Sequence, residues 1–388
     1  MQLSKRLNQF QEGIFTTLQS IKNRRIAEGK YVCDLSVGTP NIPPAEHIRQ
    51  TLAEAAMDPG QYVYAISDTP ALQDAVADWY RRRYQVTLDP RTELTSLLGS
   101  QEGLAHIAMA FADAGDTILV PDPCYPVFAD GPLLAGAKLH YMPMRPEKNF
   151  LIQLRDIPTA VAKAAKMMIV SYPNNPTCVL APDSFYRELV TFSKEFDIMV
   201  LHDNAYSELV FDGVSCGSFL RFPGAKDVGV EFNSLSKTYG LAGARIGFCL
   251  GNAQVVGAVK KLKSNMDYGM FLPVQKAAIA AISGDQSCVT ATCRAYAARR
   301  DALCERFADI GWPIPKSPGT MFAWAPIPAG FASSQDFVLE LVERSGVLVT
   351  PGSAFGPGGE GFVRIALVQD EEKLCLAAAS IHESGILG

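Results

Sequence analysis

The sequence predicts an α/β protein with a mostly parallel sheet and a smaller α+β part. Short apolar, β-branched runs alternate with longer segments of helical periodicity, and most of these runs end in turn-forming residues. Strands that alternate with helices are joined by crossovers, which makes neighbouring strands parallel and covers both faces of the sheet. The chain has 388 residues, of which 48% are hydrophobic, so it is long enough for two cores.

The predicted elements follow one another in a regular order along the chain. Helical periodicity covers residues 71–84, 101–112, 184–196 and 297–310. The predicted strands are residues 117–120, 167–171, 198–201, 228–232 and 245–250. After about residue 285 the pattern changes to apolar runs at 321–324, 346–350 and 362–367. We therefore predict a large domain at residues 48–285 and a small domain made of residues 1–47 and 286–388.

Composition argues against several classes of protein. The net charge is -5 and no long basic run is present, which argues against nucleic-acid binding. No apolar stretch approaches the ~20 residues that span a bilayer, and residues 1–9 do not resemble a signal peptide. The nine cysteines form no Cys-x-x-Cys pair and the five histidines no His-x-x-x-His pair, so neither a metal site nor a disulfide framework is expected. We expect a cytoplasmic protein that binds neither membranes nor metals.

Polar side chains follow three of the predicted strands. Tyr125 lies just beyond strand 117–120, Asn175 beyond strand 167–171, and Asp203 and Tyr206 beyond strand 198–201. In open α/β sheets, ligands bind outside the carboxyl ends of the strands. These residues offer the donors, the acceptor and the flat ring that a heteroaromatic cofactor needs.

Lys237, in the segment Ser234-Leu235-Ser236-Lys237, is the most informative single residue. Its amine can form a Schiff base with an aldehyde cofactor, while the two serines and Arg245, eight residues later, can bind a phosphate. Ser100 and Gln101 open a predicted helix, whose N-terminus is a second anion site. The segment also fits the Ser-x-x-Lys motif of serine hydrolases, but that class needs a later Lys-Thr-Gly strand, which the sequence lacks.

Taken together, these motifs resemble those of the fold-type I pyridoxal-phosphate aminotransferases of class I/II. The resemblance extends from residue 35 to residue 367. It is greatest to the branch containing LL-diaminopimelate aminotransferases and related aspartate or aromatic enzymes, through residues 99–106, 174–177 and 202–208. It implies a mostly parallel seven-stranded sheet, pyridoxal 5'-phosphate as cofactor, and a homodimer with active sites at the subunit interface.

The resemblance also implies a role for each candidate residue. Lys237 would hold the cofactor as an internal aldimine and then move the substrate's Cα proton, while Asp203 would pair with the pyridine nitrogen. Asn175 and Tyr206 would bind the phenolic oxygen, and Tyr125 would stack on the ring. Arg364 would grip the substrate carboxylate beside Gly38 and Asn175. The phosphate ligands would be Ser100, Gln101, Ser234, Ser236, Arg245 and Tyr64, the last from the partner subunit.

Some questions stay open at the level of sequence. The same motifs would serve a C–S β-lyase or a decarboxylase, because the substrate bond that breaks depends on the shape of the pocket. Aspartate, aromatic, alanine, methionine and LL-diaminopimelate donors all remain possible. Gln11-Glu12-Gly13-Ile14-Phe15 stands where the diaminopimelate enzymes usually carry Pro-Pro-Tyr, so the aromatic hydroxyl that contacts the distal end of the substrate in those enzymes is absent from this segment. Cys178 replaces a usual glycine.

Overall fold

The computed structural model describes residues 3–4, 6–10 and 14–388. The segment Gln11-Glu12-Gly13 lies outside the described residues. The strands are β1 (Cys33–Asp34), β2 (Leu94–Leu97), β3 (Thr117–Asp122), β4 (Lys138–Pro143), β5 (Ala165–Ser171), β6 (Met199–Asp203), β7 (Gly229–Ser234), β8 (Gly247–Gly251), β9 (Phe322–Pro326), β10 (Val347–Leu348), β11 (Thr350–Pro351) and β12 (Phe362–Ala366).

Helices separate most of these strands, as the periodicity predicts. The helices are α1 (Ile14–Ala27), α2 (Glu46–Met57), α3 (Pro70–Tyr84), α4 (Ser100–Phe111), α5 (Val127–Leu134), α6 (Thr159–Ala164), α7 (Asp183–Phe196), α8 (Ala225–Val228), α9 (Leu235–Thr238), α10 (Ala253–Lys263), α11 (Leu272–Ser283), α12 (Ser287–Asp309), α13 (Ser334–Ser345) and α14 (Glu371–Glu383). The helix predicted at 297–310 is the second half of the longer α12.

The central sheet has seven strands in the order β2-β8-β7-β6-β5-β3-β4, which confirms the predicted fold class. Strands β4, β3, β5, β6 and β7 are parallel neighbours, whereas β8 runs antiparallel to both β7 and β2. The carboxyl ends of β3, β5, β6 and β7 therefore meet at one edge of the sheet, where the predicted site residues follow them.

Both faces of this sheet are buried, as expected for a parallel sheet covered by helices. On β5, Met168 and Val170 belong to one apolar cluster, while Met167 and Ile169 belong to another. The alternation follows from the two-residue period of a strand. A rigid sheet buried on both faces fixes the positions of the residues at its carboxyl edge.

The C-terminal part has its own core around an antiparallel sheet of β11, β12 and β9. The run 346–350, predicted as one strand, is divided: β10 pairs with β1, and β11 pairs with β12. The pairing of β1 with β10 joins the N-terminal segment to this part of the chain. The domain boundaries at residues 48 and 285 stay a prediction.

Among the described residues, no helix combines the length and the apolar composition needed to cross a membrane.

Candidate active site

A cavity of about 730 Å³ opens at the carboxyl edge of the central sheet and is closed on one side by residues of the C-terminal part. Every predicted site residue except Tyr64 lines it: Gly38, Ser100, Gln101, Tyr125, Asn175, Asp203, Tyr206, Ser234, Ser236, Lys237, Arg245 and Arg364. The fold thus gathers residues that lie up to 326 positions apart in the sequence into one site.

Lys237 reaches the cavity from a short turn of helix directly after β7. Ser234 caps this turn, because its hydroxyl accepts a hydrogen bond from the Ser236 backbone N–H at 3.2 Å. The Lys237 Nζ donates to the Gly38 carbonyl at 2.9 Å. Burial, with the nearby cations Arg364 and Arg245, lowers the pKa of Lys237 to about 8. About a tenth of the amine is therefore neutral, and so nucleophilic, at pH 7.

Asp203 is the last residue of β6, and its side chain is buried. Its Oδ1 has no hydrogen-bond partner among the residues that the structure describes. Burial raises the pKa of Asp203 to about 7, against the opposing effects of His202, the Ala205 backbone N–H and Lys237. A buried carboxylate with an unpartnered oxygen can accept a hydrogen bond from a cationic group in the cavity.

The start of α4 and the Arg245 guanidinium form a cradle for an anion. Gly99 precedes α4 with φ +79°, and a Cβ there would lie 2.4 Å from the Arg245 Nη2 atom. Arg245 in turn donates to the Leu98 carbonyl at 3.2 Å and to the Ala242 carbonyl at 3.0 Å. Unpaired backbone N–H groups at the helix start and a guanidinium beside them are what a phosphate requires.

Arg364 projects from the middle of β12 and is buried. Its Nη1 donates to the Asn175 Oδ1 and its Nη2 to the Ser36 carbonyl, both at 3.0 Å. The guanidinium lies between two aromatic rings, with its carbon 4.2 Å from the Phe322 centroid and 4.6 Å from the Phe355 centroid. Burial lowers the pKa of Arg364 to about 10, which leaves it cationic at neutral pH. The group is held in one orientation, as two-point binding of a carboxylate requires.

Gly38, Tyr125 and Tyr206 complete the walls. A Cβ at Gly38 would lie 2.5 Å from the Phe322 ring, so only glycine lets this backbone pass so close. The Tyr125 hydroxyl donates to the Gln101 Oε1 at 3.0 Å. Tyr206 is buried, and burial raises the pKa of its hydroxyl, which therefore remains a donor at neutral pH.

Tyr64 lies outside the cavity of its own chain. Its side chain is 86% exposed, and its ring centroid is 6.0 Å from that of Tyr268. A contact of Tyr64 with the phosphate cradle of the same chain is therefore not formed.

Sequence reasoning missed two features of the site. The first is the pair of rings on Arg364, for which no local sequence signal exists because Phe322 and Phe355 belong to separate elements. The second is an ion pair behind the phosphate cradle: Glu102 accepts from the Leu98 N–H at 2.5 Å and from the Lys263 Nζ at 3.0 Å. A glutamate in the first turn of a predicted helix was the available signal for this contact.

The residues present fit pyridoxal phosphate. Lys237 offers an amine with a lowered pKa to an aldehyde, Asp203 offers an unpartnered carboxylate oxygen to a ring nitrogen, and Arg245 with the α4 N-terminus suits a phosphate. Each of these three features is unusual inside a protein, and each corresponds to one functional group of the cofactor.

Comparisons with known proteins agree with this fit. Residues 30–381 match the family model described as aminotransferase class I and II. The LL-diaminopimelate aminotransferases of Moorella thermoacetica and Desulforudis audaxviator are each 42% identical; the alignments cover 96% of both chains for the first, and 99% of this chain and 98% of the relative for the second. Substrate-bound BacF from Bacillus subtilis is 35% identical, with a TM-score of 0.95 over 99% of this chain and 98% of that one. The chain therefore belongs to the class I and II aminotransferases and is a pyridoxal-phosphate-dependent enzyme of the branch near the LL-diaminopimelate aminotransferases.

Proposed function

We propose that this aminotransferase moves the amino group of LL-diaminopimelate, or of a similarly long L-amino acid, to a 2-oxo acid, with Lys237 as its catalytic lysine. The observation that carries the assignment of Lys237 is its buried amine, whose pKa is lowered to about 8 in the same cavity as Asp203 and Arg364. The choice of donor is supported by the names of the relatives that are 42% identical.

The proposed roles divide the site into three parts. Asp203 holds the ring nitrogen in its cationic form, Asn175 and Tyr206 bind the phenolic oxygen, and Tyr125 covers the ring face. Ser100, Gln101, Ser234, Ser236 and Arg245 hold the phosphate. Arg364, fixed by Ser36 and by its two aromatic neighbours, binds the substrate α-carboxylate next to Gly38.

The reaction itself depends on the transfer of one proton, which leaves the substrate Cα. The bound cofactor supplies an electron sink for the pair of electrons left at the substrate Cα when that proton departs. The Lys237 amine, which lines the cavity, would take the proton from Cα and hold it for the second proton transfer of the half-reaction. Arg364 keeps the donor in one orientation during this transfer, so the Cα proton stays within reach of the amine.

We also propose that the active enzyme is a homodimer. Exposed apolar side chains of two neighbouring segments form a patch consisting of Tyr62, Val63, Tyr64, Ile66, Tyr268 and Phe271. The segments are joined by a hydrogen bond from the Gly269 N–H to the Ala65 carbonyl at 2.8 Å and by the contact of Tyr62 with Phe271. A contiguous apolar surface of this kind supports burial against a second copy, where Tyr64 would reach the other phosphate cradle.

A cytoplasmic location belongs to the same proposal. All nine cysteines are free thiols in the structure, which is the state that a reducing compartment maintains.

The test is a single half-reaction with purified enzyme. LL-diaminopimelate, L-aspartate, L-phenylalanine and L-alanine are mixed separately with the cofactor-loaded enzyme, and loss of the aldehyde-form absorbance is followed. We expect the fastest loss with LL-diaminopimelate, with the matching keto acid as product. Carbon dioxide released in equal amount would instead favour the decarboxylase, and ammonia released from L-cystathionine in the same assay would favour the C–S β-lyase.

Lys237→Ala tests the catalytic lysine in the same assay. We expect loss of turnover and loss of the cofactor band that borohydride fixes to the protein. Lys261→Ala, which removes an exposed lysine of α10, is the matched control and should behave like the wild type. Near-normal transamination by Lys237→Ala would contradict the assignment.

A further inference from the structure

The cavity extends beyond the reactive groups into a groove between α4 and α5. Leu104 and Ala105 line it from α4, while Val127, Asp130 and Leu134 line it from α5. Four of these five side chains are apolar. The donor's α-carboxylate and amino group occupy the Arg364 and Lys237 end of the site, so the remainder of a long donor has to extend into other parts of the cavity.

Among the described residues of this groove, Asp130 is the one carboxylate, and none of them supplies it with a counter-ion. Within residues 3–4, 6–10 and 14–388, its carboxylate forms neither a salt bridge nor a side-chain hydrogen bond, although the residue is half-buried. The titratable groups that its charge reaches are Cys124, Tyr125 and Tyr141, none of which is a cation. Burial alone raises the pKa of Asp130, with no cation opposing the shift.

A partly desolvated carboxylate without a partner is unfavourable in the free enzyme. A cation that binds beside the carboxylate offsets this unfavourable free energy, because solvent screens the ion pair less here than on the open surface. The same carboxylate repels a donor that brings only a second carboxylate to this place. Asp130 therefore has the chemistry of a group that selects cationic side chains.

We propose that Asp130 is a specificity-determining residue that binds a second ammonium group, on the far end of the amino donor. This inference rests on the proposed function and narrows its substrate class to diamino acids with the second nitrogen several carbons from the reacting Cα. LL-diaminopimelate and lysine both carry that nitrogen on C6.

The test compares donors that differ in this one ammonium group. LL-diaminopimelate is paired with L-2-aminopimelate, and L-lysine with L-norleucine, because each second member lacks only the nitrogen on C6. The half-reaction gives kcat/KM for all four donors with wild-type enzyme and with Asp130→Asn, a substitution of almost unchanged size. Asp113→Asn, which removes an exposed carboxylate outside the cavity, is the matched control.

We expect the wild type and Asp113→Asn to prefer the ammonium-bearing member of each pair. In Asp130→Asn, kcat/KM should fall about tenfold for LL-diaminopimelate and L-lysine and stay equal or rise for L-2-aminopimelate and L-norleucine. The donors without the second nitrogen also serve as a control for folding, because a misfolded variant would lose activity towards all four donors equally.

Two results would overturn the inference in distinguishable ways. If the enzyme turns over these donors but Asp130→Asn changes both members of each pair alike, Asp130 is not the selecting group, and the proposed function stands. If the wild type acts on none of the four donors, the proposed substrate class fails, and the inference fails with it.

Discussion

Burial acts in opposite directions on two charged residues that share the cavity. It lowers the pKa of Lys237 to about 8 and raises that of Asp203 to about 7, because a low-dielectric environment disfavours the charged form of each. Both values come close to neutral pH, where small changes in contacts alter the charge. Perturbed groups of this kind cluster at functional sites, and here they lie within one cavity.

The pKa of Lys237 predicts the pH dependence of cofactor capture. Only the neutral amine condenses with the aldehyde, and the neutral form dominates above the pKa. The rate at which apoenzyme binds pyridoxal phosphate should therefore rise with pH up to about 8 and then level off. Stopped-flow absorbance measures this rate, and N-acetyl-lysine in the same buffers corrects for titration of the reagent itself. If the rate instead keeps rising with pH up to the ordinary lysine pKa of ~10.4, the pKa of Lys237 is not lowered.

Arg364→Lys tests the proposed two-point binding of the donor α-carboxylate by the Arg364 guanidinium. Lysine keeps the positive charge but lacks the planar fork and its hydrogen bonds to Asn175 and Ser36. We expect KM for amino donors to rise about 10- to 100-fold, while the dissociation constant of the cofactor changes little. Arg306→Lys, on the exposed surface of α12, is the control. Equal weakening of donor and cofactor binding would argue against a carboxylate role.

At the scale of the element, the start of α4 is shaped by contacts that come from elsewhere in the chain. Glu102 accepts from the Leu98 N–H and is neutralised by Lys263 of α10, which also contacts Asp267 at 2.9 Å. Lys263 is buried, and its removal would leave the Glu102 carboxylate without its cation. The phosphate cradle thus depends on α10 as well as on its own helix.

Gly99→Ala tests the close approach of Arg245 to this cradle. The new methyl group would lie 2.4 Å from the Arg245 Nη2, so the flexible guanidinium has to move away. We expect the dissociation constant of pyridoxal phosphate to rise by about tenfold, the usual effect of losing one hydrogen bond to a charged group.

Gly115→Ala is a matched control for this substitution. Gly115 also has a positive φ, +96°, but a Cβ there would have nothing within 4 Å. Both variants carry the backbone strain of alanine at positive φ, whereas only Gly99→Ala displaces the Arg245 guanidinium. Equal loss of cofactor affinity in the two variants, as measured by equilibrium dialysis, would show that strain rather than Arg245 is responsible.

At the scale of the whole molecule, the exposed patch around Tyr64 predicts how the enzyme assembles. Ile66 is 72% exposed and lies within the patch, so Ile66→Asp should place a charge in the proposed dimer interface and produce monomers. Light scattering after size exclusion measures the change. If Tyr64 acts in the partner's site, activity should fall as the dimer is lost.

Leu376→Asp controls for the loss of an exposed apolar side chain. Leu376 is 52% exposed on α14, outside the patch, and its replacement should leave assembly and activity unchanged. A wild-type enzyme that is monomeric and fully active would contradict the proposed assembly.

Much of the fold was predictable because its determinants are local. The apolar run of β5 and the helical period of α7 are properties of short segments, and both were recognised from the sequence. The division of run 346–350 between two sheets was not recognised, because β10 and β11 differ only in the strands that lie beside them. A strand's partner is a property of the packed chain.

The sequence by itself determined which chemical groups this protein carries and in what order, from the anion-binding start of α4 to the Lys237 amine and the Arg364 guanidinium. The start of α4 opens a helix and Lys237 follows the end of β7, and such positions are encoded within a few neighbouring residues. Only the tertiary structure decided that Lys237 contacts Gly38, that two aromatic rings contact Arg364, and that Asp130 lines the same cavity without a counter-ion among the described residues. Contacts of this kind depend on how distant segments pack, and packing is fixed by the whole core rather than by local propensity.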